Sequence, residues 1–437
     1  MKMAKQLRSH SRTLSTLLVT VLMLVTTLAS ANVVLGQDST PPAITKSILG
    51  TSQFASGSNT YVTSATTLRV NVADDDSGVQ SCSITVTDTY NVVVLAPSCA
   101  GGDNDFTFPS SLPDGVYVVS ATATDAAGNT GSDPMTVILD NTGPNLSKTI
   151  GTPQYTSGGT TYVKSTTAIS VSADDGVGSG VASCTLSGSA QLAGSYTPGS
   201  SFFLAAPDGP KAYTVNCQDN LGNQASLTET DTVDDTAPTI TITSPVGIYT
   251  LNQPNVLASY SCEDGAGSGA SGCIGDLTNG ATIDTTLAAL GSHTFTVKAT
   301  DNLGNAASKS ADYSVKYSQT SGRKILAPLQ QVTDPTQLTK TYNLGRTLPI
   351  KFQLFDRAGP SIGTAKATLT LYDAKGVQVS VKNSGNSNSG TILFRYDPVA
   401  QQYIYNLSTK NLSQGIYKIV ISLDDGTEIS TYFRLAK

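Results

Sequence analysis

The hexapeptide TDNLGN at Thr300–Asn305 has two close copies upstream, TDAAGN at Thr124–Asn129 and QDNLGN at Gln218–Asn223. The copies are roughly 80 to 95 residues apart, which is the length of one small domain. In each copy the Asp can accept backbone hydrogen bonds at the start of a turn, and the Gly supplies the positive φ of a short hairpin. The phrase therefore predicts a β-hairpin that recurs in three successive domains.

Two further phrases recur in the same order and mark where each domain begins. The phrases DSTPP (38–42), DNTGP (140–144) and DDTAP (234–238) share Asp, Thr and Pro at the same spacing and are typical of linkers. A Gly-rich and Asp-rich phrase follows in each domain and ends at a cysteine. These phrases end at Cys82, Cys184 and Cys273.

Alternating apolar and polar residues indicate half-buried β-strands, as in TLRVNVA (67–73), AISVSA (168–173) and HTFTVKAT (293–300). The chain has no Trp, and its acidity is almost entirely Asp, a residue of turns. We predict an all-β fold of tandem immunoglobulin-like (Ig-like) β-sandwiches in a linear array after an N-terminal signal peptide. The predicted boundaries are 1–31 for the signal peptide, 38–139, 140–233 and 234–317 for the three repeats, and 318–437 for a C-terminal β domain.

The N-terminal residues have the order of a secretory signal peptide. Basic residues between Lys2 and Arg12 precede the apolar run Leu14–Leu28, and the small residues Ala29–Ala31 follow it. The alternative is an uncleaved membrane anchor, although the apolar run is short for a bilayer span of about 20 residues. We expect a secreted or cell-surface protein with no transmembrane segment in the mature chain.

Six cysteines are distributed as two in each repeat. Fifteen pairings are formally possible, but independent domains in an oxidising compartment favour bonds within each repeat. A zinc site is disfavoured because no CxxC spacing occurs and only His293 remains after the signal peptide. The expected disulfides are Cys82 with Cys99, Cys184 with Cys217, and Cys262 with Cys273.

The three repeats resemble bacterial Ig-like repeats of exported proteins, with VSATATDAAGN (119–129) and TFTVKATDNLGN (294–305) as the matching stretches. The C-terminal unit resembles the PxKF domain through Pro349, Ile350, Lys351 and Phe352, and the match continues over 393–427. These resemblances imply stalks, spacers and binding modules of surface or secreted proteins. They imply no catalytic activity.

The charge of the chain is divided between its two parts. Residues 38–317 contain eight Lys and Arg against 25 Asp and Glu, a net charge of −17, whereas residues 318–437 contain 14 against seven, a net charge of +7. A basic terminal domain on an acidic stalk favours anionic cell-envelope polymers or polysaccharide as partners. A scattered basic surface with no partner is the alternative, and an exported chain disfavours nucleic acid.

The Ig-like topology brings the opening linker, the loop after the second strand and the closing hairpin to one pole of each sandwich. Carboxylates gathered there would repel one another unless a cation bridges them, and Ca²⁺ prefers such oxygen ligands. Calcium is therefore a candidate cofactor, against the alternative that these residues only shape turns. The candidate ligands are Asp38, Asp74, Asp75, Asp76 and Asp125 in the first repeat, Asp140, Asp174, Asp175 and Asp219 in the second, and Asp234, Asp235, Glu263, Asp264 and Asp301 in the third.

No catalytic motif is present in the sequence. It contains no G-x-S-x-G elbow, phosphate-binding Gly loop or H-E-x-x-H helix, and His293 starts an alternating strand. We predict a non-enzymatic, modular surface or stalk protein with spacer repeats and a C-terminal domain for attachment or adhesion. One rival is a secreted carbohydrate-binding accessory protein, with YDPVAQQYIY (396–405) as its candidate aromatic surface, although packing of these tyrosines inside the domain is an equal alternative. The other rival is a secreted enzyme built around His293.

Overall fold

A computed structural model describes residues 38–317, 324–356, 359–381 and 392–437. These residues form 33 β-strands and two short 3₁₀ helices, Leu287–Ala289 and Pro335–Gln337, with no α-helix among them. The prediction of a nearly all-β chain with sheets in tandem Ig-like domains is confirmed. No helix in the described ranges is long and apolar enough to span a membrane. The predicted signal peptide, 1–31, lies outside the described residues.

The described chain divides into two compact units. The first contains 38–149, 169–202 and 213–229, and the second contains 150–168, 203–212 and the described residues from 230 onward. The division passes through the second predicted repeat, so the four-domain partition stays a prediction.

The first repeat is a sandwich of a three-stranded sheet, β1-β4-β7, and a six-stranded sheet, β2-β3-β9-β8-β5-β6. Its strands alternate between buried and exposed side chains, with Leu68, Val70 and Val72 buried from β4 and Val119 and Ala121 from β8. The strands are β1 (Ala43–Leu49), β2 (Gln53–Ser56), β3 (Asn59–Val62), β4 (Thr67–Ala73), β5 (Val79–Thr87), β6 (Val93–Leu95), β7 (Gly102–Phe106), β8 (Gly115–Asp125) and β9 (Thr130–Leu139).

The second repeat follows the same strand order. Strands β14 and β17 pair antiparallel, and the end of β18 pairs parallel with β12, as β9 does with β3. The strands are β10 (Asn145–Ile150), β11 (Gln154–Ser157), β12 (Thr160–Val163), β13 (Ile169–Asp174), β14 (Val181–Gly188), β15 (Gly194–Tyr196), β16 (Ser201–Phe202), β17 (Gly209–Asp219) and β18 (Gln224–Val233).

The third repeat has fewer strands but keeps the closing hairpin of the other two. Its sheets are β19-β21 and β20-β24-β23-β22, and Phe295, Val297 and Ala299 of β23 enter its core. The strands are β19 (Thr239–Ser244), β20 (Gly247–Thr250), β21 (Ser259–Glu263), β22 (Ala270–Gly275), β23 (Gly291–Asp301) and β24 (Ala306–Lys316).

The C-terminal domain packs a four-stranded sheet, β25-β27-β31-β30, against a five-stranded sheet, β26-β33-β32-β28-β29. Strand β27 contains Pro349–Phe352, and its Ile350 and Phe352 are fully buried. Tyr417, Ile419, Ile421 and Leu423 of β32 alternate toward the core, and all four are buried. The strands are β25 (Lys324–Leu326), β26 (Thr341–Asn343), β27 (Thr347–Gln353), β28 (Ala367–Tyr372), β29 (Gln378–Val379), β30 (Arg395–Asp397), β31 (Gln402–Ser408), β32 (Gly415–Leu423) and β33 (Glu428–Ala436).

Within the second compact unit, the base of the third repeat shares a hydrophobic core with the C-terminal domain. Leu251, Val315 and Tyr317 belong to the same buried cluster as the residues of β27 and β32. The Tyr317 N–H donates to Asp425 Oδ2 at 2.9 Å, and its hydroxyl donates to Asp424 Oδ1 at 2.9 Å. The chain that leaves the third repeat is therefore held by the last hairpin of the C-terminal domain.

Candidate metal centres

Three carboxylates meet in each repeat, one from the opening linker, one from the loop after the second core strand and one from the closing hairpin. In every cluster, one carboxylate oxygen from each residue lies within 4.8 Å of the other two. The clusters are Asp38, Asp74 and Asp125 in the first repeat, Asp140, Asp175 and Asp219 in the second, and Asp234, Asp264 and Asp301 in the third.

The closing hairpin of the third repeat shows how the TDNLGN phrase builds this arrangement. Asp301 ends β23, and its Oδ1 accepts from the backbone N–H groups of Leu303 and Asn305 at 2.8 Å. Gly304 makes the turn with φ of 82°. The Asn305 side chain donates to Asp301 Oδ2 at 2.7 Å and to the carbonyl oxygen of Asp234 at 3.0 Å. The final Asn therefore binds the hairpin to the linker.

The other two repeats contain the same bond. Asn223 donates to the carbonyl oxygen of Asp140, and Asn129 donates to that of Asp38, both at 3.1 Å. The sequence analysis missed these asparagines, because it assigned roles only to the Asp and Gly of the phrase. Their invariance among the three copies was the signal that could have identified them.

Replacing Asn305 with Ala is expected to destabilise the third repeat by about 1 to 3 kcal/mol, because the Asp234 carbonyl and the Asp301 carboxylate each lose a donor. Thermal unfolding of the variant measures this loss. Ser308→Ala, an exposed change on β24, is the matched control and should stay within about 0.5 kcal/mol of the parent. Equal midpoints for the two variants would contradict the role of Asn305.

The loop phrase supplies a buried serine to the second and third clusters. The backbone N–H groups of Ser179 and Ser268 donate to Oδ2 of Asp140 and Asp234, each at 2.7 Å. These serines are only 6% and 5% exposed, and their hydroxyl oxygens have no hydrogen-bond partner within the described part of the chain. Buried polar atoms are nearly always paired, so these hydroxyls are available to bind a further polar partner at the cluster.

Glycine lets this loop approach the carboxylates. A Cβ at Gly267 would lie 2.5 Å from Asp264 Oδ2 and 2.9 Å from Asp234 Oδ2. A Cβ at Gly178 would lie 2.5 Å from Asp175 Oδ2. Any side chain at either position would therefore displace the carboxylates.

The second and third clusters are electrostatically costly without a cation. Burial, followed by nearby carboxylates, raises the pKa of Asp140, Asp175 and Asp264, and backbone donors offset part of this effect. In the more exposed first cluster, the nearby Ser77 hydroxyl and the Thr40 N–H and hydroxyl, which donate to Asp38 Oδ1, lower the pKa of Asp38 to about 2. The ion pairs found in the described ranges involve none of the nine carboxylates.

Five other predicted ligands lie outside the three-carboxylate clusters and are exposed: Asp75, Asp76, Asp174, Asp235 and Glu263. Asp174 accepts from the Gly176 N–H, and Asp235 accepts from the Ser165 N–H. In the second and third repeats the loop carboxylate of the cluster, Asp175 or Asp264, directly follows the last residue of its strand, whereas the exposed strand-end residue does not join it.

Three disulfides join the cysteines within the repeats. Cys184 and Cys217 are directly opposite on β14 and β17 and are both buried. The other two bonds are Cys82–Cys99 and Cys262–Cys273.

His293 has structural contacts. Its Nε2 lies 2.7 Å from the carbonyl oxygen of Ala289, and its ring stacks on Tyr313 with centroids 5.1 Å apart. A nucleophile and an orienting carboxylate are not among these contacts, as a catalytic triad would require.

The candidate aromatic surface at 396–405 is largely internal. Tyr403 and Tyr405 are each 1% exposed, and the partly buried Tyr396 lies within hydrogen-bond distance of the Ser361 hydroxyl. These tyrosines form the core of β30 and β31 because they alternate toward the opposite sheet. Of the two alternatives for this stretch, an exposed aromatic surface or internal packing, Tyr403 and Tyr405 follow the second.

Comparison with known proteins gives one family match. Residues 44–141, which span the first repeat, match the bacterial Ig-like domain family. No curated protein matches the chain. The first repeat is thus similar to the bacterial Ig-like domain, in agreement with its two-sheet structure.

Several solved structures with repeated domains are similar over most of the chain at low identity. One is a tetra-tandem repeat from the extending region of a large adhesion protein, with 20% identity, a TM-score of 0.28, and coverage of 85% of this chain and 96% of that one. A 1.5-MDa bacterial ice-binding adhesin has 14% identity, a TM-score of 0.27, and coverage of 91% and 98%. A Ca²⁺-stabilised adhesin of an Antarctic bacterium that binds ice has 15% identity, a TM-score of 0.24, and coverage of 91% and 100%.

Proposed function

We propose that this chain is an exported, non-enzymatic modular protein of the cell surface. The Ig-like repeats at 38–139, 140–233 and 234–317 serve as a spacer, and the PxKF-like domain at 318–437 serves for attachment or adhesion. The family match of the first repeat, the repeated phrases and the three disulfides support this proposal.

The observation that carries the proposal is that the two linkers between repeats, 140–144 and 234–238, are each hydrogen-bonded to the repeats on both sides. The Asp140 N–H donates to the Val62 carbonyl of the first repeat at 2.9 Å, while the Asp140 carbonyl accepts from Asn223 of the second. Asp234 bonds in the same way to Val163 and Asn305. A linker bonded from both sides limits bending between repeats, which suits a spacer.

We also propose that Ca²⁺ is the ligand of the three carboxylate clusters. All three clusters offer three carboxylate oxygens, the hard donors that calcium prefers. The second and third clusters add carboxylates with raised pKa values and a buried hydroxyl without a partner. The ligands would be the three Asp of each cluster, with Ser179 and Ser268 as further oxygen donors. The ion would neutralise the carboxylates and bind linker, loop and hairpin together.

The basic C-terminal domain is the proposed contact with the cell envelope. Its net charge of +7, against −17 for the repeats, directs anionic envelope polymers or polysaccharide to this end of the chain. Contacts of this kind weaken as salt screens them, with a Debye length of about 10 Å at 0.1 M ionic strength.

Fractionation of cells expressing the full chain tests the proposal. We expect the protein in the envelope or medium fraction, accessible to protease added to intact cells. Any charge-based retention should be released by raised salt, and a cytoplasmic pool resistant to added protease would contradict the proposed function. A cytoplasmic marker protein is the control for cell integrity.

A further inference from the structure

The C-terminal domain has an open groove of about 790 Å³ on the outer face of its five-stranded sheet. Strands β28, β32 and β33 form its floor, and the turn that contains Asp373–Gly376 forms one wall. A volume of several hundred Å³ is typical of ligand sites. The groove lies on the face of the sheet opposite the core, so it is not part of the packing between the two sheets.

Two tyrosines flank a lysine across this floor. Tyr372 of β28 is paired directly with Lys418 of β32, which is paired in turn with Tyr432 of β33. Directly paired residues share one face of a sheet, so the three side chains form a row. At about 4.8 Å between strands, the two tyrosine positions are about 10 Å apart. Both tyrosines are partly exposed, and Val420 of β32, which is 7% exposed, also lines the groove.

The hydroxyls of the two tyrosines and the ammonium group of the lysine make no hydrogen bond or ion pair with the described residues. Other tyrosines of the domain are bonded: Tyr342 donates to the Pro328 carbonyl at 2.6 Å, and Tyr403 donates to the Ile362 carbonyl at 2.8 Å. By contrast, the described residues offer no hydrogen-bond partner to the hydroxyls of Tyr372 and Tyr432 and no ion-pair partner to Lys418. Tyrosine combines an apolar ring with a polar hydroxyl and is therefore enriched at binding interfaces.

The charges of the groove are balanced, although the domain as a whole is basic. Lys375 and Lys418 line the groove together with Asp373 and Glu428. A polyanion would meet two carboxylates here, so the groove does not share the preference of the domain surface for negative charge. A neutral sugar chain presents apolar C–H faces and many hydroxyls, which match tyrosine rings beside ammonium and carboxylate groups.

We propose that this groove binds a neutral polysaccharide. Sugar rings stack on Tyr372 and Tyr432, and their hydroxyls bond to Lys418 between the two rings and to Glu428 farther along β33. This inference rests on the proposed attachment role of the C-terminal domain and names the ligand class for it.

Affinity electrophoresis of the full chain in native gels tests the assignment. The gels contain one neutral polysaccharide each (cellulose ether, xylan, mannan, dextran or laminarin), and parallel gels contain polygalacturonate or heparin. We expect retardation by at least one neutral polysaccharide. Tyr372→Ala and Tyr432→Ala should each weaken that binding about tenfold, as truncating a central aromatic contact does. Tyr372→Phe, which keeps the ring, should retain most of it.

Tyr90→Ala, at an exposed tyrosine of the first repeat, is the matched control and should bind like the parent. The thermal midpoint of each variant confirms that it is folded. Absence of retardation by every neutral polysaccharide, retardation by the polyanions alone, or unchanged binding by both alanine variants would overturn the groove assignment. The surface role is tested separately by fractionation, so a failure of the groove assignment does not contradict a surface location found in that experiment.

Discussion

Calcium is expected to raise the thermal unfolding midpoint of this protein by about 10 to 20 °C over the value in chelator. A ligand at 100 times its dissociation constant stabilises the folded state by about 2.7 kcal/mol, and each kcal/mol shifts the midpoint of a domain of this size by about 4 to 8 °C. The physical reason is the set of partly buried carboxylates of each repeat, which lie within 4.8 Å of one another. Differential scanning calorimetry with and without chelator measures the shift.

The variant Asp175→Asn separates bound calcium from general charge screening. In chelator it should equal or exceed the parent in stability, because it removes one of three mutually repelling carboxylates while keeping an acceptor for the Gly180 N–H. In calcium it should fall below the parent, because a charged ligand is lost. The neighbouring Asp174→Asn, outside the cluster, should respond to calcium like the parent. A parent midpoint that chelator does not change would end the calcium proposal.

Without calcium, the contribution of these clusters to the free energy of unfolding is expected to fall as pH rises. Burial raises the pKa of Asp175 and Asp264 in the folded state above the ordinary value of 3.8. The folded state therefore holds these protons to higher pH than the unfolded state, and the clusters lose stability as pH rises through the folded pKa. Mild acidification in chelator should thus narrow the stability difference between the parent and Asp175→Asn. In calcium it should instead release the ion and destabilise the parent.

Removing the Cys184–Cys217 bond is expected to be the most damaging of the three disulfide changes. This bond closes a separation of 33 residues, against 17 for Cys82–Cys99 and 11 for Cys262–Cys273. Chain-entropy arguments assign it about 3 to 4 kcal/mol, which corresponds to a midpoint drop of about 15 to 30 °C for one repeat.

The paired change Cys184→Ala with Cys217→Ala tests this disulfide, and the pair Cys262→Ala with Cys273→Ala serves as the comparison. Calorimetry should resolve a lowered transition in each case, with the larger loss in the first. Midpoints that match the parent in both variants would show that the strand pairing and core hold the repeats without these bonds.

Local sequence patterns determined most of the architecture. Alternation in TLRVNVA and HTFTVKAT predicted strands because a sheet buried on one face accepts only every second side chain. The repeated phrases predicted the positions of the hairpins, linkers and cysteine pairs, because a turn is determined by a few neighbouring residues. The convergence of Asp140, Asp175 and Asp219 also followed from the sequence, since the topology of a sandwich brings those loops to one end.

Tertiary structure alone decided which side chains take part. The sequence does not distinguish the adjacent residues Asp174 and Asp175, yet the direction of the chain at the end of β13 turns only Asp175 toward Asp140. The bond from Asn223 to the linker and the unpartnered hydroxyl of Ser179 depend on distances that no local pattern encodes. The row of Tyr372, Lys418 and Tyr432 depends on strand register between segments far apart in the chain, and register is set by the packing of the whole sheet.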